Sequence, residues 1–308
     1  MHICAIIVTY NRKELLLRNV KNILAQTYPI DKIYIIDNHS ADNSEEYLTA
    51  AVESDRIDYS YLDENIGGAG GFWYGLKKSH ESKYDWYILM DDDGMPADDK
   101  CFENMVCYIK RQELSSDKSC LLNCLVIAEN DDNKLAFELD GIDATQEVIS
   151  MARDGAIKGD INPFNGTFVS NGLVDAIGYP NKDFFIKGDE SDYERRAKEA
   201  EAYVATVIDS VYKHPSVKNN VKKRIFGHTV DVFVEAPWKE YYSTRNYIYS
   251  ILHSKISDKE KKRRVRRFLL KKYYCVLNAK CHKIKTLKMI RLGAKHGKKG
   301  ILGSTIKP

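Results

Sequence analysis

Three adjacent carboxylates, Asp91, Asp92 and Asp93, follow the apolar residues 86–90 of this 308-residue chain. Alternate side chains of an extended segment point the same way, so Asp91 and Asp93 can share one divalent cation while Asp92 turns aside. Carboxylate oxygens are ligands that Mg²⁺ and Mn²⁺ accept, and a diphosphate would supply further oxygens. A solvated acidic turn is the alternative for a run of three aspartates.

A second acidic group, Asp189, Glu190 and Asp192, follows the apolar residues 184–186. We expect residues 184–186 to form a strand that delivers a carboxylate to the start of a helix over 189–200. A carboxylate placed in this way can act as a general base. The alternative is that the acidic residues only complement the helix dipole.

Two further features could complete such a site. His214 follows an apolar run at 203–208 and could be the nitrogen ligand beside Asp91 and Asp93, or a surface or hydrogen-bonded core histidine. Residues 65–72 read NIGGAGGF and precede a helix predicted over 70–79. Glycines let a backbone approach an anion closely and a helix N-terminus attracts negative charge, although a tight structural loop would also use glycines.

The elements that must position these residues alternate between strand and helix patterns. Apolar, β-branched runs predict strands at 4–8, 32–36, 57–62, 86–90, 121–128 and 164–170. Helical spacing of apolar residues predicts helices at 13–26, 44–52, 70–79, 189–200, 236–255 and 259–278. The alternation predicts an α/β fold with a mostly parallel twisted sheet flanked by helices. The polar clusters that follow strand ends would then converge on one edge of the sheet.

The charge of the chain is divided unevenly. Lys and Arg number 47 against 44 Asp and Glu, but residues 1–217 carry 22 basic and 39 acidic side chains. Residues 218–308 carry 25 basic and 5 acidic side chains. We therefore predict a catalytic domain at 1–217 and a basic, aromatic-rich helical region at 218–308, which we call the basic C-terminal region.

Five motifs, in this order and spacing, resemble the family-2 nucleotide-sugar glycosyltransferases of the GT-A fold. They are VTYNR at 8–12, IDNHS at 36–40, NIGGAGGF at 65–72, DDD at 91–93 and FFIKGDESDY at 184–193, with YYSTRN at 241–246 extending the likeness. Within that family the 65–72 form looks most like galactofuranosyltransferases. Rhamnosyltransferases usually show a looser version of it.

The resemblance implies an inverting, metal-dependent enzyme that moves galactofuranose from UDP-galactofuranose to a hydroxyl of a lipid-linked or growing bacterial surface glycan. A rhamnosyltransferase, or another transferase using a UDP- or dTDP-sugar, is one alternative. A non-catalytic membrane adaptor that binds sugar nucleotides is another.

The resemblance also implies roles for residues on the donor side. Thr9, Asn11 and Arg12 would line the uridine and diphosphate pocket, Asp37 would contact the nucleoside, and Asn65 with Gly68 would border the diphosphate. Asp91 and Asp93 would bind Mn²⁺ or Mg²⁺ with His214 as third ligand, and Asp92 would face the sugar or ribose.

On the acceptor side, Glu190 occupies the position of the catalytic base, with Asp189 as the alternative. Many relatives have aspartate where this chain has Glu190, and an aromatic residue where it has Gly188.

Cationic side chains alternate with aliphatic and aromatic ones over 261–276, which is typical of a helix at a membrane surface. A helical hairpin packed on the body with a solvated basic face is the alternative. Nucleic acid is not expected as a partner, because the acidic body would repel a polyanion. With an acceptor built on a polyprenyl diphosphate, the resemblance implies a cytoplasmic, peripheral position on the inner face of the cytoplasmic membrane.

Overall fold

One large twisted sheet forms the centre of the computed structural model, which describes residues 1–216, 221–225, 228–279 and 282–306. The strands are β1 Ile3–Thr9, β2 Lys32–Asp37, β3 Ile57–Tyr61, β4 Trp86–Asp91, β5 Met95–Pro96, β6 Cys120–Ala128, β7 Asp131–Leu139, β8 Ile142–Ala144, β9 Ala156–Lys158, β10 Asn165–Ser170, β11 Tyr203–His214, β12 Val221–Ile225 and β13 His228–Val232. The helices are α1 Lys13–Leu24, α2 Ser44–Thr49, α3 Gly67–His80, α4 Cys101–Arg111, α5 Thr145–Met151, α6 Asn171–Ile177, α7 Asp189–Glu199, α8 Pro237–His253, α9 Asp258–Asn278 and α10 Lys283–Lys299.

The strand order β3-β2-β1-β4-β10-β6-β11-β5 confirms the predicted fold class. β1 pairs in parallel with β2 and β4, and β2 pairs in parallel with β3. β10 enters antiparallel between β4 and β6. Every residue of β1 is buried, as expected for a parallel strand with helices covering both faces of the sheet. The carboxyl ends of the parallel strands therefore meet along one edge.

The helix predicted over 70–79 begins earlier, at Gly67. The glycines expected to form a loop therefore lie in the first turns of α3. A Cβ on Gly71 would come within 2.6 Å of Val8 Cγ1, and one on Gly75 within 2.5 Å of Ile6 Cγ2. The absence of side chains at these positions lets α3 lie close against the sheet.

The strand predicted at 184–186 is wrong. A 3-10 turn spans Lys182–Phe184, and the backbone after it turns sharply, with φ of 66° at Phe185 and 65° at Lys187. These left-handed conformations are incompatible with a strand and place Gly188, at φ 89°, directly before α7. We call residues 182–188 the base loop, because Glu190 follows it.

The basic C-terminal region contains the two predicted helices as α8 and α9, together with α10 and a hairpin of β12 and β13. The domain boundary predicted at residue 217 lies outside the described residues and stays a prediction. None of the described helices combines the length and apolar character needed to span a bilayer.

Candidate active site

The predicted metal ligands meet at the carboxyl edge of the sheet. Asp91 ends β4, and Asp93 follows in the turn before β5. β5 pairs antiparallel with the end of β11, with Met95 opposite Lys213, and this pairing brings His214 beside Asp93. One ligand atom from each of Asp91, Asp93 and His214 lies within 4.8 Å of the others. We call these three residues the Asp-Asp-His cluster.

The atoms of this cluster fit a divalent cation. Asp93 Oδ1 is buried and lies 3.1 Å from His214 Nε2, with no other polar partner among the described residues. His214 Nδ1 is 2.8 Å from the carbonyl oxygen of Pro215, which accepts a proton from Nδ1 and leaves Nε2 as the nitrogen that faces Asp93. Asp93 Oδ1 and His214 Nε2 at this separation share either a proton or a cation. Two carboxylates and an imidazole are suited to Mn²⁺ or Mg²⁺.

Burial and the negative charge of neighbouring carboxylates shift the pKa values of the three aspartates at 91–93. Burial, reinforced by the charges of Asp93 and Asp92, raises the pKa of Asp91 to about 8. Burial also raises the pKa of Asp92 to about 6, although Arg12 opposes the shift. For Asp93 burial acts in the same direction, but His214 and Arg12 outweigh it and lower the pKa. Carboxylates held this close together, with shifted pKa values, are typical of a cation-binding site.

Asp92 turns away from the cluster, as the alternation of side chains predicts. Its Oδ2 accepts a hydrogen bond from Thr9 Oγ1 at 2.8 Å, and its Oδ1 one from Arg12 Nη1 at 3.0 Å. The same Arg12 nitrogen lies 2.8 Å from Asp93 Oδ2. Thr9, Arg12 and Asp92 thus form one hydrogen-bonded network, in which Thr9 and Asp92 are buried and Arg12 is half-exposed. The implied contact of Asp92 with sugar or ribose stays a prediction.

The residues assigned to the nucleoside side shape a turn after β2. Asp37 Oδ2 accepts a hydrogen bond from Tyr59 Oη at 2.5 Å, and its Oδ1 one from the Ser40 backbone at 2.7 Å. The Asn11 side chain, at a residue with φ of 53°, accepts a bond from the Ala41 backbone at 2.7 Å. Tyr59 was not singled out from the sequence, because nothing local marks its hydroxyl as a partner of Asp37.

The first turn of α3 begins with two glycines, one packed against the base loop and one with free space around it. Gly67 has φ of 77°, and a Cβ there would overlap the carbonyl oxygen of Phe185 in the base loop. Asn65 Oδ1 accepts a bond from the Gly67 backbone at 2.8 Å, and the Ala69 backbone donates to the Phe185 carbonyl oxygen at 3.1 Å. A Cβ on Gly68 would meet no atom within 4 Å. The helix start is therefore accessible at Gly68 and packed at Gly67.

The acidic residues that begin α7 have three different environments. Asp192 is bound by Arg195 and Arg196, so it has a structural role. Burial, together with the charge of Glu190, raises the pKa of Asp189 well above its usual range. Glu190 is half-buried, and its Oε2 accepts a bond from the Gly188 backbone at 3.0 Å. It also contributes to the raised pKa of Asp91, which indicates that it lies near the cluster.

Two residues of α8 hold the base loop, and sequence reasoning assigned them no role. Asn246 Nδ2 lies 3.0, 2.9 and 2.7 Å from the carbonyl oxygens of Phe184, Ile186 and Lys187. Arg245 is fully buried, and its guanidinium donates to the carbonyl oxygens of Asp183, Phe184 and Gly303. The available signal was the YYSTRN motif at 241–246, which contains both residues but does not indicate what they bind.

Comparison with known proteins agrees with this geometry. Residues 4–117 match the family model described as glycosyl transferase family 2. Residues 4–117 therefore carry a family-2 glycosyltransferase domain. This glycosyltransferase is 27% identical over 256 residues to galactofuranosyltransferase GlfT1 of Mycolicibacterium smegmatis, covering 80% of this chain and 82% of that protein. It is also 27% identical over 249 residues to GlfT1 of Mycobacterium tuberculosis, covering 80% of each chain.

Solved structures show that the glycosyltransferase has the GT-A fold. S. aureus TarS 1-349 in complex with UDP-GlcNAc superposes with a TM-score of 0.58 at 13% identity, covering 97% of this chain and 92% of that one. The chain spans 44% of the longer TarS structure, at a TM-score of 0.56. Mannosyltransferase PcManGT from Pyrobaculum calidifontis, in complex with GDP-Man and Mn²⁺, has a TM-score of 0.54 at 14% identity, covering 98% and 76% of the two chains.

Proposed function

We propose that this glycosyltransferase transfers galactofuranose from UDP-galactofuranose, with inversion, to a hydroxyl of a lipid-linked or growing bacterial surface glycan. The observation that carries the proposal is the Asp-Asp-His cluster, which gathers two carboxylates and an imidazole with one ligand atom of each within 4.8 Å of the others, a donor set that suits a divalent cation. The choice of donor is supported by the relatives named GlfT1.

The donor side is arranged for a charged leaving group. Asp91, Asp93 and His214 would hold Mn²⁺ or Mg²⁺, which would supply a Lewis acid that offsets the charge developing on the diphosphate. The half-exposed guanidinium of Arg12 adds a fixed positive charge beside the cluster. Gly68 leaves the first turn of α3 accessible to an anion.

Glu190 would act as general base on the acceptor. Its carboxylate takes the proton of the acceptor hydroxyl, and the hydroxyl oxygen attacks the anomeric carbon from the face opposite the diphosphate. The bond from that carbon to the diphosphate oxygen breaks, and UDP leaves with the electron pair. Asp189 is buried whereas Glu190 is half-buried, so Glu190 is the more accessible carboxylate to an acceptor hydroxyl, which supports Glu190 over Asp189 for this role.

A two-part experiment tests the proposal. Thermal unfolding with Mn²⁺ and a panel of UDP- and dTDP-sugars measures donor preference, and UDP release from UDP-galactofuranose with crude lipid acceptor measures transfer. We expect the largest stabilisation by UDP-galactofuranose and release that depends on the acceptor. Preference for dTDP-rhamnose would overturn the donor assignment. Binding without release would indicate a non-catalytic adaptor.

The proposed location follows from charge. The basic C-terminal region, with 25 basic and 5 acidic side chains, would face the anionic inner leaflet of the cytoplasmic membrane, where a polyprenyl-diphosphate-linked acceptor would be found. The enzyme would then be cytoplasmic and peripheral, with no nucleic-acid partner.

A further inference from the structure

An apolar groove of about 370 Å³ lies among the helices of the basic C-terminal region. Its apolar walls come from the end of α8 and from α9, namely Leu252, Val265, Leu269, Leu270 and Tyr273. This volume lies within the range of pockets that hold small molecules. We call it the α9 groove.

One wall of the α9 groove is unusually exposed. Leu269 packs against the small core that contains Ile248, Ile251 and Val265. Its neighbour Leu270 is 57% exposed and contributes to the groove. An exposed leucine next to an apolar cavity extends an apolar surface, and such surfaces mark sites of interaction.

The rim of the α9 groove carries cations without carboxylate partners. Lys262 and Arg266 of α9 and Lys298 of α10 line it and are exposed. No carboxylate among the described residues forms an ion pair with them, whereas Arg263 and Arg264 of the same helix both bind Glu260. The groove thus combines apolar walls with uncompensated positive charge.

We propose that the α9 groove binds an acyl chain of an anionic membrane phospholipid, whose phosphate is bound by Lys262, Arg266 and Lys298. The apolar walls match the chain and the cationic rim matches the headgroup. This inference rests on the membrane location proposed above. It assigns the contact with the membrane to the α9 groove rather than to the whole basic surface.

Vesicle sedimentation with matched charge variants tests the rim. The wild-type chain should bind vesicles that contain phosphatidylglycerol and not vesicles of phosphatidylcholine alone. Lys262→Glu with Arg266→Glu should weaken binding by about tenfold or more. The control, Arg267→Glu with Lys271→Glu, makes the same charge change on α9 outside the groove and should have a much smaller effect. Equal losses in both double variants would overturn the groove in favour of general basic attraction.

A second pair of variants tests the apolar wall. Leu270→Ser should weaken vesicle binding by about fivefold, whereas Leu277→Ser, at a residue 62% exposed on the same helix but outside the groove, should leave it near the wild-type value. Equal losses would show that the whole helix face meets the lipid, and would overturn the groove. A change of oligomeric state in Leu270→Ser would overturn it in favour of a contact between copies of the chain.

The experiment separates this inference from the proposed function. Thermal unfolding of each variant verifies that it is folded, and UDP release with a water-soluble acceptor measures catalysis without a membrane. Wild-type protein that transfers sugar but does not bind anionic vesicles would overturn the groove and leave the transferase activity established. Vesicle binding that depends on the groove, without transfer, would support the groove and overturn the proposed function.

Discussion

The side-chain amide of Asn246 lies 2.7 Å from the main-chain carbonyl oxygen of Lys187, three residues before the proposed base Glu190. The same nitrogen contacts two further carbonyl groups of the base loop. The loop needs this support because it contains backbone at positive φ and no regular ladder of hydrogen bonds. Through Asn246, the basic C-terminal region therefore helps to position the base loop and the proposed base Glu190, which follows that loop.

Asn246→Asp should impair transfer more than donor binding. The variant keeps the shape of the side chain but replaces its donor with an acceptor, so the three carbonyl groups lose their partner. We expect kcat to fall by about 100-fold while the Kd for UDP changes little. Asn246→Ala should behave in the same way and lower the free energy of unfolding by about 1–3 kcal/mol. An unchanged kcat in a folded Asn246→Asp protein would contradict the positioning role.

Gly67→Ala and Gly68→Ala should separate stability from donor binding. Alanine at Gly67 is strained by positive φ and overlaps the Phe185 carbonyl oxygen, so it should lower the unfolding free energy by at least about 1–3 kcal/mol. Alanine at Gly68 meets no atom within 4 Å and should leave stability unchanged or raised, yet weaken binding of the UDP-sugar. Thermal unfolding and donor titration measure the two effects. Equal stability of the two variants would refute the packing argument.

Glu190→Gln should reduce transfer by about 10²–10⁴-fold, because glutamine cannot accept the acceptor proton. Donor binding should be retained, since the substitution preserves the side-chain shape. Asp189→Asn is the matched control. Asparagine has nearly the same shape as Asp189, which is buried and is not the proposed base, so this variant should keep most of the activity. A larger loss in Asp189→Asn than in Glu190→Gln would reverse the assignment of the base.

Asp93→Ala should abolish stabilisation by Mn²⁺. A cation bound only to the folded state adds about 2.7 kcal/mol at a concentration of 100 times its Kd, and this increment should disappear with the ligand. Asp132→Ala removes an exposed aspartate paired with Lys213 and should keep the full increment. Thermal unfolding with and without Mn²⁺, in the absence of donor, measures both. Full Mn²⁺ stabilisation of Asp93→Ala would place the cation elsewhere.

Asp192→Asn should destabilise the fold in a pH-dependent way. Burial opposes ionisation of Asp192, but bonds from Arg195 and Ser250 and the charge of Arg196 outweigh it and lower the pKa below 3.8. The stabilisation is therefore complete at a pH well above the unfolded-state pKa of about 3.9, and it is lost as the pH falls through the lowered pKa. We expect a loss of about 2 kcal/mol at pH 7 that shrinks towards pH 3. Urea unfolding at several pH values measures it, with Asp258→Asn, at a loose surface pair, as control.

The parallel sheet and the polar residues at its edge could be predicted from local patterns in the sequence. Apolar runs such as 4–8 and 86–90 are continuous because a parallel strand is buried on both faces. Polar residues directly after such runs must lie at the carboxyl edge. For that reason Asp91 and Asp93 could be placed together before any coordinates, and the cluster confirms their proximity.

Features that depend on contacts between distant segments could not be predicted from local patterns. His214 reaches Asp93 because β5 pairs with the end of β11, a register that no local pattern specifies. The base loop differs from the predicted strand because Asn246, about sixty residues later, satisfies its carbonyl groups in another way. Periodicity reports which face of an element is buried, whereas the partner of each polar atom depends on how the elements are brought together.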